Sequence, residues 1–383
     1  MMGYLGRAAI LAGSLVLAAC GSTPEPAEPQ SPMDTPESHV SKGMTNIEKG
    51  NYLVAEKAFE RALELAPGHV PAYAGQVALR IETGRYDEAR EALAKGRDAE
   101  PTPAQRRRLA TLEIRLLRSE RGEDWYAEAK DVFADAEADV EGAKTDPELL
   151  RAIARTAMAA YRAERTPERL GEARAYARRL TRTDSPQSAQ GQEMLTRLDR
   201  IERAQVQGDA KVKRIATEEA VTRRQLALLL DRVLKVTAYL DGVAFNRPRD
   251  GETNPQGESD YAHLPEATAI RHVSRAPLRG LDIEKGRFRP KREVTRERFA
   301  MVLQDLIRTR TADGDMATKH FGNSSPFPDV ASTRVSFSAI MTAVSRGLME
   351  SDSNGAFKPT EPVSGSVAIE ALRQLRRVSP GQA

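Results

Sequence analysis

A 34-residue internal repeat constrains the fold of this chain more than any other feature of its sequence. Four residues of one segment recur at this spacing in the next: Gly50, Tyr52, Ala55 and Pro67 return as Gly84, Tyr86, Ala89 and Pro101. Small residues let two helices approach closely, aromatic residues fill the remaining gap, and a proline ends a helix. Because each unit can bury its apolar face only against its neighbours, the spacing predicts a stack of helical hairpins.

The first unit resembles the tetratricopeptide family in its small, aromatic and terminal-proline positions: Gly43, Gly50, Tyr52, Ala55, Phe59, Ala62, Leu63, Leu65 and Pro67. A third unit is indicated by Tyr126, Ala129, Phe133 and Ala136, and a degenerate fourth by Leu149, Ala152, Ala157 and Tyr161 followed by Ala173, Ala177 and Leu180. We therefore predict a repeat domain over residues 38–205, closed by a capping helix at 187–205. The resemblance implies a concave groove that binds a protein partner and carries no catalytic groups.

Two arginine-rich stretches in this region have two interpretations. Residues 106–108 and 174–182 would form a basic groove for an acidic partner tail or an anionic envelope polymer. The favoured alternative is that they are solvated faces neutralised by nearby acids, namely Glu113, Glu120, Glu164 and Glu172.

A different repeat begins after residue 210. The segment at 219–227, which reads Glu-Ala-Val-Thr-Arg-Arg-Gln-Leu-Ala, returns at 292–300 and, more diverged, at 361–369. Each copy places a good N-cap residue before apolar positions at helical period, which predicts three helix starts at Thr222, Thr295 and Ser364. Gly-Leu pairs and Gly-x-Phe-x-Pro segments precede the last two copies, at 280–281, 286–290, 347–348 and 355–359.

This order of motifs resembles the S-layer homology family, with three modules over residues 211–378. Phe327, Pro328, Asp329 and Val330 supply the start of the third module. The first module lacks most of its front half, and the second has His263 where an aspartate is expected. The resemblance implies a three-pronged helical unit that binds cell-wall-linked polysaccharide in grooves between the prongs.

Residue by residue, the resemblance makes five positions glycan-binding candidates: Thr222, Arg223, Thr295, Arg296 and Asp329. Arginines would meet polymer carboxylates through charge-assisted hydrogen bonds. Two departures leave glycan binding open. The family's sugar-stacking tryptophan is absent from every copy, with Val335 near its place in the third, and Ser364 with Gly365 replaces Thr-Arg there.

The N-terminal segment has the pattern of a targeting signal. Residues 1–19 combine a basic start with a short apolar run, which is typical of a secretory signal, and residues 17–20 resemble a lipobox with Cys20 as the lipidated residue. A proline-rich tether follows to residue 37. No other stretch is long and apolar enough to span a bilayer. Gly21 after the cysteine favours, by resemblance, the outer membrane facing the periplasm.

Composition and motif searches exclude several classes of function. The chain has 58 Lys and Arg against 55 Asp and Glu, so it lacks the large net positive charge that is typical of nucleic-acid binders. A single cysteine excludes internal disulfides and a cysteine zinc site. Hydrolase elbows, phosphate loops and paired zinc-binding histidines are absent. The acidic loop at 350–361 resembles a calcium loop, but we interpret it as the turn of a module.

The sequence therefore predicts an all-α, non-catalytic envelope lipoprotein without cofactor or metal. Its repeat groove would recruit a protein while its modules attach to wall polysaccharide or peptidoglycan. In the alternative, the modules are degenerate and the protein is an assembly scaffold that binds only proteins. A third option is a hydrolase regulator or substrate adaptor.

Overall fold

The computed structural model describes residues 26–206, 209–240, 260–276, 278–283, 287–320, 322–352 and 354–377. Within these ranges the elements are helices joined by turns and two isolated bridges, which confirms the all-α prediction. The chain divides into two compact units, residues 1–156 and 157–383. Cys20 and the predicted signal segment lie outside the described residues.

The first unit is a stack of helical hairpins, as the 34-residue repeat predicts. In each of the first three hairpins the two helices pack together, and the first helix of one hairpin also packs on the first helix of the next. The helices are α1 (Pro36–Glu48), α2 (Tyr52–Leu65), α3 (Val70–Glu82), α4 (Tyr86–Asp98), α5 (Pro103–Glu120), α6 (Trp125–Asp139) and, after a 3₁₀ turn at Ala143–Thr145, the first part of α7 (Pro147–Glu164).

The repeated glycines form the turns inside the hairpins. Gly50 and Gly84 have φ of +73° and +72°, in the left-handed region that a residue with a side chain adopts only at a cost. The third hairpin turns at Arg121, with φ of +55°, and Gly122 follows it. The sequence repeat therefore weakens where a non-glycine residue takes over the same backbone conformation.

Phe59 holds the first three helices together. Its ring is fully buried, and it lies against Gly43 of α1 and Gly75 of α3. A Cβ atom added at Gly43 would lie 2.5 Å from Phe59 Cε1, and one at Gly75 would lie 2.2 Å away. The absence of a side chain at both positions is therefore what lets α1 and α3 close around the ring.

Part of the predicted tether packs on this unit. Asp34 accepts hydrogen bonds from the Arg61 side chain, the Gln30 N–H and His39, and these bonds hold the pKa of its carboxyl well below the usual range. Upstream, the Ala27 N–H donates to Glu64 O of α2 at 2.7 Å. The last residues before α1 are thus fixed along α2.

The second unit contains one hairpin and three modules built around a single apolar core. Within the part of the chain that the structure describes, no helix combines the length and apolar character needed to cross a membrane. The helices are α8 (Pro167–Thr181), α9 (Ser188–Gln205), α10 (Ala210–Ala216), α11 (Arg223–Leu229) with a π-helical continuation (Leu230–Leu234), α12 (Val236–Tyr239), α13 (Ala267–Ser274), α14 (Arg296–Thr311) with a 3₁₀ turn after it (Gly314–Ala317), α15 (Phe337–Ser345) and α16 (Gly365–Arg377).

Helices α8 and α9, which the repeat pattern places in the first domain, pack on each other, and α9 also packs on α10 and α16. Arg200 of α9 pairs with Glu350 at 2.7 Å and with Glu370 at 3.1 Å. Arg373 Nη2 of α16 donates to Ala204 O at 2.8 Å. The predicted capping helix of the repeat, α9, therefore packs against the modules of the second unit.

We predict that Gly75→Ala destabilises the first unit by about 1–3 kcal/mol, the usual cost of overpacking a core. The clash with Phe59 is the cause. Gly68→Ala is the matched control, because nothing lies within 4 Å of a Cβ there. Urea unfolding of the full chain, followed by the fluorescence of Trp125, measures both changes. Equal stability of the two variants would contradict the packing account.

Candidate functional site

The three modules are joined by a closed ring of backbone hydrogen bonds. The Val221 N–H donates to Val363 O, the Val363 N–H to Val294 O, and the Val294 N–H to Val221 O, each at 2.9 Å. Each valine is the third residue of its motif copy, and all three side chains are fully buried. The repeated motif therefore meets itself at a pseudo-threefold axis.

The candidate threonines cap helices directly after this ring. Thr222 is the N-cap of α11 in a capping box, in which its N–H donates to Gln225 Oε1 at 2.8 Å. Thr295 is the N-cap of α14, and its Oγ1 accepts from the Arg298 N–H at 3.4 Å. The predicted helix starts are confirmed at both sites, and both hydroxyls are engaged in the caps.

Arg223 holds the second module against the first. Its side chain is only 2% exposed. Nη1 donates to Gly280 O at 2.8 Å, Nη2 donates to Asp282 O at 2.6 Å, and the guanidinium lies 4.7 Å from the centre of the Phe288 ring. The residue after the N-cap threonine thus contacts both the Gly-Leu turn and the Gly-x-Phe-x-Pro segment of the next module.

Arg296 repeats this arrangement one module further on. Its Nε donates to Phe357 O at 2.7 Å, and Nη2 donates to Glu350 O at 2.6 Å. The guanidinium again lies 4.7 Å from a phenylalanine ring, that of Phe357. Unlike Arg223, Arg296 is partly exposed. The two arginines therefore act first as clamps between modules, and of the two residues only Arg296 is partly exposed.

Asp329 organises the turn that Arg296 clamps. Its Oδ1 accepts from the Phe357 N–H at 2.9 Å and its Oδ2 from the Lys358 N–H at 2.6 Å. Asp260 makes the same pair of bonds in the second module, to the N–H groups of Phe288 at 2.9 Å and Arg289 at 2.8 Å.

The assignment of His263 to the aspartate position of the second module is therefore wrong. Asp260 takes that position, 69 residues before Asp329. The same spacing relates the two Gly-x-Phe-x-Pro segments, so it was the signal that could have located this residue.

The third interface between modules is built differently. A Cβ atom at Gly365 would lie 1.6 Å from Ile215 O of α10, so no side chain fits there. The Gly365 N–H donates to Glu218 O at 3.0 Å. The first module has α10 in place of a front half. The α10 backbone occupies the space that the Cβ of an arginine at position 365 would need. The loss of Thr-Arg in the third copy is therefore the packing consequence of the truncated first module.

A solvent-facing surface lies between the second and third modules. Val335, at the place of the family's tryptophan, is 87% exposed. Its neighbours Arg334 and Ser336 both donate to the Glu297 carboxylate at 2.8 Å. Burial alone would raise the pKa of Glu297, but these hydrogen bonds outweigh it and lower the pKa. The surface beside Val335 thus carries a fixed ion pair rather than free charges.

Two family models match the chain. One describes a tetratricopeptide repeat and covers residues 46–112, and the other describes an S-layer homology domain and covers residues 326–366. The chain combines tetratricopeptide repeats with an S-layer homology domain. No curated protein and no solved structure gave a significant match. The repeats point to protein–protein interaction and the S-layer homology domain to cell-wall attachment, and both families are typically non-catalytic.

The acidic loop of the S-layer homology domain is a self-capped turn. Asp352 Oδ1 accepts from the N–H groups of Asn354 and Ala356, both at 2.9 Å, and Lys358 Nζ lies 3.5 Å from Oδ2. The hydrogen bond from Ala356 contributes most to the lowered pKa of this carboxyl. Among the described residues, no three or more His, Cys, Asp or Glu side chains are grouped as metal ligands.

The structure also places the arginine-rich stretches of the repeat region. Arg107 pairs with Asp146 at 2.9 Å, and Arg174 pairs with Asp199 and Glu202, each at 2.7 Å. Two of the acids expected to neutralise these stretches instead pair with α4: Glu113 with Arg97 and Glu120 with Arg90.

We predict that Arg223→Gln lowers the free energy of unfolding of the second unit by about 2–4 kcal/mol, because two buried carbonyls lose their donor. Arg224→Gln removes the same charge one residue later from a partly exposed side chain, and it should cost less than about 0.5 kcal/mol. Thermal unfolding of the full chain, followed by circular dichroism, compares the two. Similar melting curves would show that the clamp is not needed.

Proposed function

We propose that the protein is a non-catalytic cell-envelope lipoprotein that connects a protein partner to the cell wall. The S-layer homology domain at residues 326–366 carries the proposal, because it supplies the wall-attachment element. The tetratricopeptide repeats supply the protein-binding element. Each contact gains from being tethered to the other, since tethering raises the effective concentration rather than the individual affinity.

The wall-binding groove in this proposal lies between the second and third modules. This interface keeps Thr295, Arg296 and Asp329 together, and Arg296 is a partly exposed residue there. Thr222 and Arg223 form the corresponding interface between the first and second modules, where the arginine is buried. We therefore place glycan contact at Arg296, with Asp329 positioning the turn, and assign Arg223 to holding the modules in register.

The lipid anchor rests on the sequence. Residues 17–20 resemble a lipobox, and acyl chains on Cys20 contribute about 0.8 kcal/mol per buried methylene to membrane attachment. A lipidated cysteine followed by Gly21 favours the outer membrane, with the folded units facing the periplasm. The tether would hold these units away from the bilayer, although Asp34 already fixes its last residues to α2.

One observation favours an alternative in which the modules bind only proteins. Val335 offers no aromatic face for sugar stacking, and the carboxylate beside it is already paired with Arg334. An assembly scaffold that keeps the S-layer homology fold without its glycan site would have these features.

Cosedimentation with isolated cell walls tests the groove. We expect the full chain to pellet with walls and Val335→Asp to bind about tenfold more weakly, equivalent to about 1.4 kcal/mol, since a carboxylate there repels an acidic polymer. Val206→Asp is the matched control, because Val206, at the C-cap of α9, is similarly exposed at 74%. Failure of the unaltered chain to pellet would support the scaffold alternative. Equal pelleting by both variants would place wall contact elsewhere.

Replacement of Cys20 tests the anchor. Cys20→Ser removes the thiol that would be acylated, so the variant should move from the membrane fraction to the soluble fraction when cells are fractionated. Immunoblotting with an antibody to the folded chain measures the distribution, and Ser22→Ala serves as a neighbouring control that should stay with membranes. Continued membrane association of Cys20→Ser would count against lipidation.

A further inference from the structure

A row of arginines lies on α5 and on the first part of α7. Three are on α5, at spacings of seven and three residues that place them on one face of the helix, and two are on α7, four residues apart. All belong to the first unit. The arginine row consists of Arg108, Arg115, Arg118, Arg151 and Arg155.

The arginine row faces the side of the stack that the first helices form. Arg115 Nη2 lies 3.3 Å from Glu82 Oε1 at the end of α3, the first helix of the preceding hairpin. Helix α1 packs on α3, and α3 packs on α5, so the first helices form one side of the stack. Arg115, in the middle of the row, lies on this side, which the proposed function assigns to partner binding.

Arg118 is the least satisfied member of the row. Its Nη1 is buried, and no described residue accepts a hydrogen bond from it. Burial, followed by repulsion from Arg155, Arg115 and Arg151, lowers the pKa of its guanidinium to about 10. The side chain as a whole remains partly exposed, so an anion can reach it. A buried guanidinium nitrogen without an acceptor costs free energy, and a bound carboxylate would offset that cost.

Positive charge exceeds negative charge along the row. Glu82 pairs with Arg115 and Glu148 with Arg151. Arg108, Arg118 and Arg155 make no ion pair with any residue that the structure describes. Five other arginines of this unit are paired with acids, namely Arg61, Arg85, Arg90, Arg97 and Arg107.

We propose that the arginine row binds an acidic peptide segment of the partner protein. This inference rests on the proposed function, in which the repeat groove recruits a protein. Ten residues separate Arg108 from Arg118, about 15 Å along α5 at the helical rise. An extended peptide covers that distance in about four or five residues. A segment of this length with two or three Asp or Glu side chains matches the unpaired guanidinium groups.

Fluorescence anisotropy with labelled peptides tests this proposal on the full chain carrying Cys20→Ser. We expect labelled hexaglutamate to bind at least about tenfold more tightly than hexaglutamine at low salt, with the difference shrinking at high salt because of screening. Arg118→Gln should weaken hexaglutamate binding about tenfold, as loss of one charge-assisted contact does. Arg106→Gln, an exposed position on the same helix, should change it by less than about twofold.

One further measurement and one substitute variant separate loss of binding from loss of folding. Circular dichroism of Arg118→Gln should show a melting temperature equal to or above that of the parent, since repulsion is relieved. If that variant fails to fold, Arg155→Gln replaces it, because Arg155 is exposed and carries the same expectation of weaker binding.

Three outcomes would overturn the proposal. Equal binding of the acidic and neutral peptides would show that the row has no preference for carboxylates. The proposed function, in which the repeat groove recruits a protein, would be unaffected. Equal losses in Arg118→Gln and Arg106→Gln remove the assigned site. Tighter, Arg118-dependent binding of polygalacturonate than of hexaglutamate would assign the row to a polysaccharide. Failure of wall attachment would appear separately, in cosedimentation, and leaves peptide binding unaffected.

Discussion

Three backbone hydrogen bonds determine the architecture of the second unit. Val221, Val363 and Val294 each donate to the next valine in a closed cycle, so every module satisfies a buried N–H and a buried carbonyl of the other two. Removing one module would leave unpaired polar groups in an apolar core, which is costly. The modules are therefore three parts of one folding unit, although the sequence presents them as separate repeats.

The side-chain clamps run around the ring in the opposite direction to the valine hydrogen bonds, from the first module to the second and from the second to the third. The Arg223 N–H donates to Arg292 O and the Arg296 N–H to Glu361 O, both at 2.8 Å, and each guanidinium reaches the turn of that next module. The third step of the cycle ends on the truncated first module, and there Gly365 replaces the arginine. A departure from the family motif that looks like a lost binding residue is in this interface a requirement of close packing.

Much of this fold could be predicted from local sequence. The 34-residue spacing located the hairpins because Gly50 and Gly84 turn the chain in the same way, and the threonines located helix starts because capping is a local interaction. The residues next to Asp260 do not identify it as the equivalent of Asp329. Only the 69-residue spacing between the two aspartates does. The ion pairs of Arg200 with Glu350 and Glu370 join segments far apart in the chain, so no local pattern predicts the packing of α9 on the modules. The arginine row was equally hidden, since α5 and α7 bring its members together only in the folded repeat.

Native-state hydrogen exchange of the three valine amides measures the central claim most directly. If the ring holds the modules as one unit, the amides of Val221, Val294 and Val363 should be among the most protected in residues 157–383 and should lose protection together as denaturant increases, because one cooperative opening exposes all three. Exchange of the three amides at separate denaturant concentrations would show that the modules open independently and would contradict the account.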